Sequence, residues 1–140
     1  MALTTEATTV WTGGLFEGSG NVALDSSGLT TFEVNWDARA VGVANTTNPE
    51  ELLAAAHSSC FSMALSNGLA KADTPAETLE TTADVTFQPG EGITGIHLTV
   101  KGTVPGITEA QFEAIAEDAK ANCPISQALS IPITIEAELA

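Results

Sequence analysis

A chain of 140 residues, 44% of them hydrophobic, has the size of one domain, 1–140, and can bury a modest core. Four Lys and Arg stand against 18 Asp and Glu, a net charge of −14 that repels phosphate backbones and anionic membrane surfaces and so argues against nucleic-acid and lipid partners. Such charge also works against a compact state by self-repulsion, which a salty cytoplasm would screen.

The start, MALTTEATTV, lacks the basic region and continuous apolar run of an export signal, which points to the cytoplasm. Reducing thiol pools there disfavour a permanent disulfide, so two cysteines read as free, metal-bound or catalytic. ATTVWTG, GNVALD and LTTFEVNW are short, rich in Val, Thr and aromatics, and separated by Gly and Ser, which predicts an antiparallel meander. Residues 52–70 carry no charged side chain, a length that would cross a membrane, but His57, Ser58, Ser59, Ser62, Ser66 and Asn67 interrupt the run. The segment reads instead as a helix buried in protein. Asn48 is placed to cap it, Pro49 takes its first position, and Glu51 falls where a capping box needs it, giving a helix from Pro49 to about Leu69. A helix uncharged on every side is covered on every side, so it is central, and a second copy of so short a chain would complete the cover.

TLETTADVTFQP, GEG and ITGIHLTVKGTV predict a long hairpin, with Leu98 and Val100 alternating against His97, Thr99 and Lys101. Thr108 caps a helix to about Ala121 with Phe112, Ile115, Ala116 and Ala119 on one face. A short helix follows Pro124, and IPITIEAEL closes as a strand. No repeat or linker divides the chain.

Cys123 directly precedes Pro124, where first-turn amides and the helix dipole favour a thiolate; a small hydrophobic residue at a helix start is the other reading. Cys60 stands late in the central helix, where no dipole helps and burial raises a thiol pKa, so it needs a cation. Arg39 is the one arginine in the chain, unless it merely pairs with an acid at the surface. Glu51 is occupied by capping, which leaves Glu50 to orient the guanidinium. On an unbroken helix Glu50 and Cys60 lie about 15 Å apart, so either the helix bends or a second chain supplies the partner. His57, one turn before Cys60, reads as a histidine filling a helix interface with its nitrogens bonded, His97 as outward-facing, and Phe61, Met63 and Leu65 as core. No Cys-x-x-Cys pair suggests a metal site, and no nucleotide-binding glycine pattern suggests a cofactor.

TNPEELLAAAHSSCFSMALS, TTADVTF, VPGIT and CPISQAL, in this order over nearly the whole chain, resemble the OsmC branch of the OsmC/Ohr hydroperoxide reductases. WDAR at 36–39 falls where that branch carries its arginine; the Ohr branch places one nearer the N-terminus, where this chain has none. The resemblance implies an α+β fold, with antiparallel sheets around long central helices in an intertwined homodimer whose active sites lie at the subunit interface. It also implies a peroxidase in which Cys60 is the reacting cysteine, Cys123 resolves it through a Cys60–Cys123 disulfide, and Arg39 and Glu50 form the activating pair. An external dithiol, a lipoyl group or another small or protein thiol, would return the enzyme to its reduced state without metal or flavin. An apolar pocket including Phe61 and Met63 would favour organic hydroperoxides over hydrogen peroxide. A redox sensor or binding protein that forms the same disulfide without turnover, and a carrier with inert thiols, are the competing readings.

Overall fold

The computed structural model describes residues 1–140, which form two compact units, Met1–Leu52 and Leu53–Ala140. The first holds the expected meander: β1 (Thr8–Thr12), β2 (Ser19–Ala23) and β3 (Thr31–Val34) pair antiparallel in the order β1-β2-β3, with Trp11 opposite Gly20 and Val22 opposite Phe32. Phe16 packs edge-on to Trp36, ring centroids 5.7 Å apart. The third strand is shorter than LTTFEVNW suggested. Asn35 ends it in extended conformation and caps a one-turn helix, α1 (Trp36–Ala40), by accepting the Ala38 N–H at 2.8 Å. An Asn side chain that can satisfy an orphan amide here outcompetes the strand preference of the following Trp36.

The long helix α2 is continuous from Pro49 to Lys71. Asn48 caps it by accepting the Glu51 N–H at 2.8 Å, whereas the Glu51 carboxylate takes the Thr47 hydroxyl, so only half of a capping box forms.

In the second unit, β4 (Thr78–Gln88) and β5 (Gly92–Thr103) form the long hairpin, with a bulge between Thr86 and Phe87. The helix α3 (Glu109–Asn122) opens on a full capping box of Thr108 and Gln111. A second one-turn helix, α4 (Pro124–Ala128), leads to β6 (Ile133–Leu139). The sheet has the order β4-β5-β6, and β6 runs parallel to β5, with Leu98 opposite Ile135. This sheet is therefore mixed rather than antiparallel throughout, because α3 and α4 supply the long crossover that a parallel neighbour requires. Phe61, Leu65 and Leu69 of α2, Ile96, Leu98 and Val100 of β5, and Phe112, Ala116 and Ala119 of α3 make one core, which Cys123 joins. Two glycines permit the close approach. A Cβ on Gly68 would lie 2.9 Å from Ile115, and one on Gly102 would lie 2.7 Å from the Phe112 ring.

The sequence gives α2 no charged face, yet one side stays open in the single chain. Ala55, Ser59, Ser66 and Ala70 are exposed, and Met63 is 73% exposed rather than core. No helix is long and apolar enough to cross a membrane.

Candidate active site

The residues singled out by sequence fall into two pairs, one in each compact unit. In the first unit, Arg39 and Glu50 form a close ion pair: the Arg39 Nε donates to Glu50 Oε1 at 3.0 Å and Oε2 at 3.2 Å, and Nη2 donates to Oε1 at 2.7 Å. Glu50 is 6% exposed, so its charge depends on those donors, while the Arg39 side chain keeps 32% exposure. Local sequence builds the pair. Arg39 rides on the helix that Asn35 caps, Glu50 sits in the first turn of α2, and Asn48 ties the two elements. Its Oδ1 caps α2 while its Nδ2 donates to the Ala38 carbonyl at 2.9 Å. The cap was legible in the sequence, but the second bond was not, since nothing local points Asn48 at residue 38. A cavity of about 90 Å³ beside Arg39 is lined by Trp11, Leu15, Val34, Asn35, Trp36 and Pro49, which gives this unit a small apolar recess with a cation in its wall.

In the second unit, Cys60 and Cys123 are both free thiols, and they lie near enough for Cys123 to act on the ionisation of Cys60. The segment 104–132 that turns β5 back toward β6 places Cys123 between α3 and α4, 0% exposed, where it ends one helix and precedes the first residue of the next. Cys60 is partly buried on α2. Burial pushes the Cys60 thiol above its ordinary pKa, and the hydrogen bond and charge interaction with Cys123 push it the same way; the Ile125 amide, bonded to the Cys60 sulfur, pulls it down without offsetting the rise.

That amide corrects two sequence expectations. The first turn of α4 was to serve Cys123, and Cys60 was to have no helix amide. In fact the Cys123 side chain makes no capping bond, and the Ile125 N–H serves Cys60 instead. Cys123 is wholly buried in the core and makes no cap, and the amide two residues on acts on Cys60.

Phe61 is wholly in the core, and Met63 is exposed on the open side of α2. His57 is buried as expected, but only one nitrogen is bonded: Nε2 meets Ser126 Oγ at 2.8 Å, while Nδ1 has no partner. Burial lowers its pKa. His97 bonds Thr134 at 2.6 Å and Glu136 at 3.1 Å across the parallel pair. No group of three or more His, Cys, Asp and Glu is arranged to hold a metal ion.

Two three-stranded sheets, a long helix charged only at its ends and bearing one cysteine, and a second cysteine in the crossover define an α+β protein of the OsmC/Ohr type. The chain is similar to an organic hydroperoxide resistance protein from Elizabethkingia anophelis, with a TM-score of 0.71 and 29% identity over 100% of this chain and 97% of that one. Residues 42–138 match the family described as OsmC-like protein, and the chain belongs to the OsmC family. It is 41% identical over 132 residues to Peroxiredoxin OsmC of Escherichia coli strain K12, covering 92% of each chain. To OhrA of Bacillus subtilis strain 168, an organic hydroperoxide resistance protein, it is 34% identical over 106 residues, 73% of each.

Proposed function

We propose that residues 1–140 act as one OsmC-like domain in the cytoplasm, a cysteine-based peroxidase that reduces organic hydroperoxides. The observation that carries this reading is the nearness of the Cys60 and Cys123 thiols, remote in sequence and brought to the same core in the fold. The names of the Escherichia coli and Bacillus subtilis relatives, a peroxiredoxin and an organic hydroperoxide resistance protein, support the substrate class.

In the first step the Cys60 thiolate attacks the terminal peroxide oxygen. The O–O bond breaks, the alkoxide leaves and takes a proton as alcohol, and Cys60 becomes a sulfenic acid. Cys123 then displaces the sulfenic oxygen, which leaves as water with the Cys123 proton, and a Cys60–Cys123 disulfide forms. An external dithiol supplies two electrons and two protons, restoring both thiols and becoming a disulfide itself. A lipoyl dithiol or another small or protein thiol suits this role.

Because its surroundings in the second unit favour the neutral thiol, Cys60 needs a cation, and Arg39, held by Glu50, is that cation. Glu50 and Cys60 sit ten positions apart on one continuous helix, about 15 Å along its axis. The Arg39–Glu50 pair serving a given Cys60 therefore comes from the second chain of a homodimer, and the open, uncharged side of α2 is the surface that meets it.

The test is turnover of cumene hydroperoxide with dihydrolipoamide. Many equivalents consumed per chain, and none by Cys60→Ser, are expected; consumption that stops at one equivalent with dithiol present rejects the enzyme in favour of a sensor. Mixing Cys60→Ser chains with Glu50→Ala chains restores activity if the pair acts across the dimer. No restoration in verified mixed dimers rejects that arrangement.

A further inference from the structure

The chemistry above leaves His57 and Ser126 without a task, although they join the two elements that carry the sulfurs. His57 precedes Cys60 by one turn of α2 and is wholly buried. Ser126, also buried, lies three residues after Cys123 and next to Ile125 in α4. The bond between His57 Nε2 and Ser126 Oγ spans 69 positions of sequence. It is the ring's one hydrogen bond, because Nδ1 is buried without a partner. An apolar side chain of similar size would fill this space without leaving a buried nitrogen unsatisfied, so packing alone does not account for a histidine here.

A single-turn helix does not hold itself together, and α4 depends on what it docks against. Ile125 and Leu129 pack on the core. Toward α2 the polar attachments are the cluster of Cys60, Cys123 and the Ile125 amide, and the bond from His57 to Ser126. The first of these changes when Cys60 is oxidised; the second does not involve sulfur.

We propose that the His57–Ser126 hydrogen bond is a latch that keeps α4 docked on α2 during the reaction, so that Cys123 stays within bonding reach of Cys60 and the Ile125 amide stays on the Cys60 sulfur. This rests on the reading of Cys60 and Cys123 as the reacting and resolving thiols. His57 is then a positioning residue, acting through α4. Its effect falls on a partition: the Cys60 sulfenic acid either condenses with the Cys123 thiol, forming the S–S bond and releasing water, or meets a second hydroperoxide molecule, which gives up one oxygen to make the sulfinic acid and leaves as alcohol. A docked α4 favours the first branch.

The experiment compares wild type with His57→Leu, Ser126→Ala, the double variant and His57→Gln, whose amide can reach Ser126 from the place of Nε2. Intact mass after excess cumene hydroperoxide gives the ratio of sulfinic acid to disulfide, and iodoacetamide alkylation against pH gives the ionisation of Cys60. The latch predicts a ratio about five- to tenfold higher in His57→Leu and in Ser126→Ala, the change in population that one hydrogen bond commands. It also predicts a double variant no worse than either, a return toward wild type in His57→Gln, and alkylation profiles displaced to higher pH only where the bond is lost. A variant that melts earlier while keeping the wild-type ratio and profile, or a double variant with the product of the single effects, overturns it. If wild type itself forms no disulfide, the peroxidase reading fails, and the alkylation profile still decides the latch.

Discussion

Replacing Asn48 separates the two jobs its side chain performs. Asn48→Ala removes the cap on the Glu51 amide, about 1 kcal/mol, and the bond from Nδ2 to the buried Ala38 carbonyl, about 1–2 kcal/mol because that acceptor is left inside the protein. The sum is about 2–3 kcal/mol, or a fall in melting temperature of roughly 10 °C for a chain of this size. Asn48→Ser keeps an oxygen that can cap α2 but cannot reach Ala38, so it loses about 1–2 kcal/mol, roughly 5 °C. Arg39 follows Ala38, and Glu50 lies two residues beyond Asn48, so the serine variant also loosens the ion pair and slows peroxide consumption several-fold with helix content unchanged. Thermal unfolding by circular dichroism and a peroxide assay on the same samples measure both effects. A serine variant that melts and reacts like wild type refutes the reasoning, as does an alanine variant no less stable than the serine one.

Four further outcomes are expected. Cys123→Ser uses one equivalent of hydroperoxide to form the Cys60 sulfenic acid and, with peroxide in excess, a second to form the sulfinic acid, seen as a gain of two oxygens by mass; sustained turnover contradicts the resolving role. His57 is held below its ordinary pKa by burial, so the unfolded chain takes up its proton first; the stability this residue contributes is complete above about pH 6.5 and lost as pH falls below that. Urea unfolding should therefore show a steeper acid loss in wild type than in His57→Gln, and equal slopes contradict it. Met63→Lys places a charge on the open side of α2 and, under the proposed homodimer, shifts the protein to a monomer on sizing, whereas a dimer with unaltered elution volume removes this face from the proposed interface. With a net charge of −14, stability rises from low salt to molar salt as the screening length falls from about 10 Å to about 3 Å, and a flat response argues against self-repulsion.

Signals that act within a few residues were legible. Asn48 and Pro49 mark the start of α2, Thr108 the start of α3, and alternation marks the β4–β5 hairpin. The direction of β6 was not legible, because ITIEAEL shows which residues share a face but not which way the strand runs. Nor was the open side of α2, since the uncharged stretch 52–70 has no charged stripe to point outward, and Met63 reads as core on residue type alone. At the candidate site, residue chemistry and family likeness singled out Cys60, Cys123, Arg39 and Glu50, and the fold sets them in two pairs. The connections that position them were hidden. Asn48 to Ala38, Ile125 to Cys60 and His57 to Ser126 each depend on where the chain returns, and neither end of these bonds has a motif that names the other.

The most direct measurement is the intact mass of the reduced chain after one equivalent of cumene hydroperoxide, followed by peptide mapping without reductant. A loss of two hydrogens, traced to a peptide pair linking Cys60 and Cys123, is the predicted result. An unchanged mass, or a gain of oxygen on Cys60 with Cys123 still a thiol, contradicts the account.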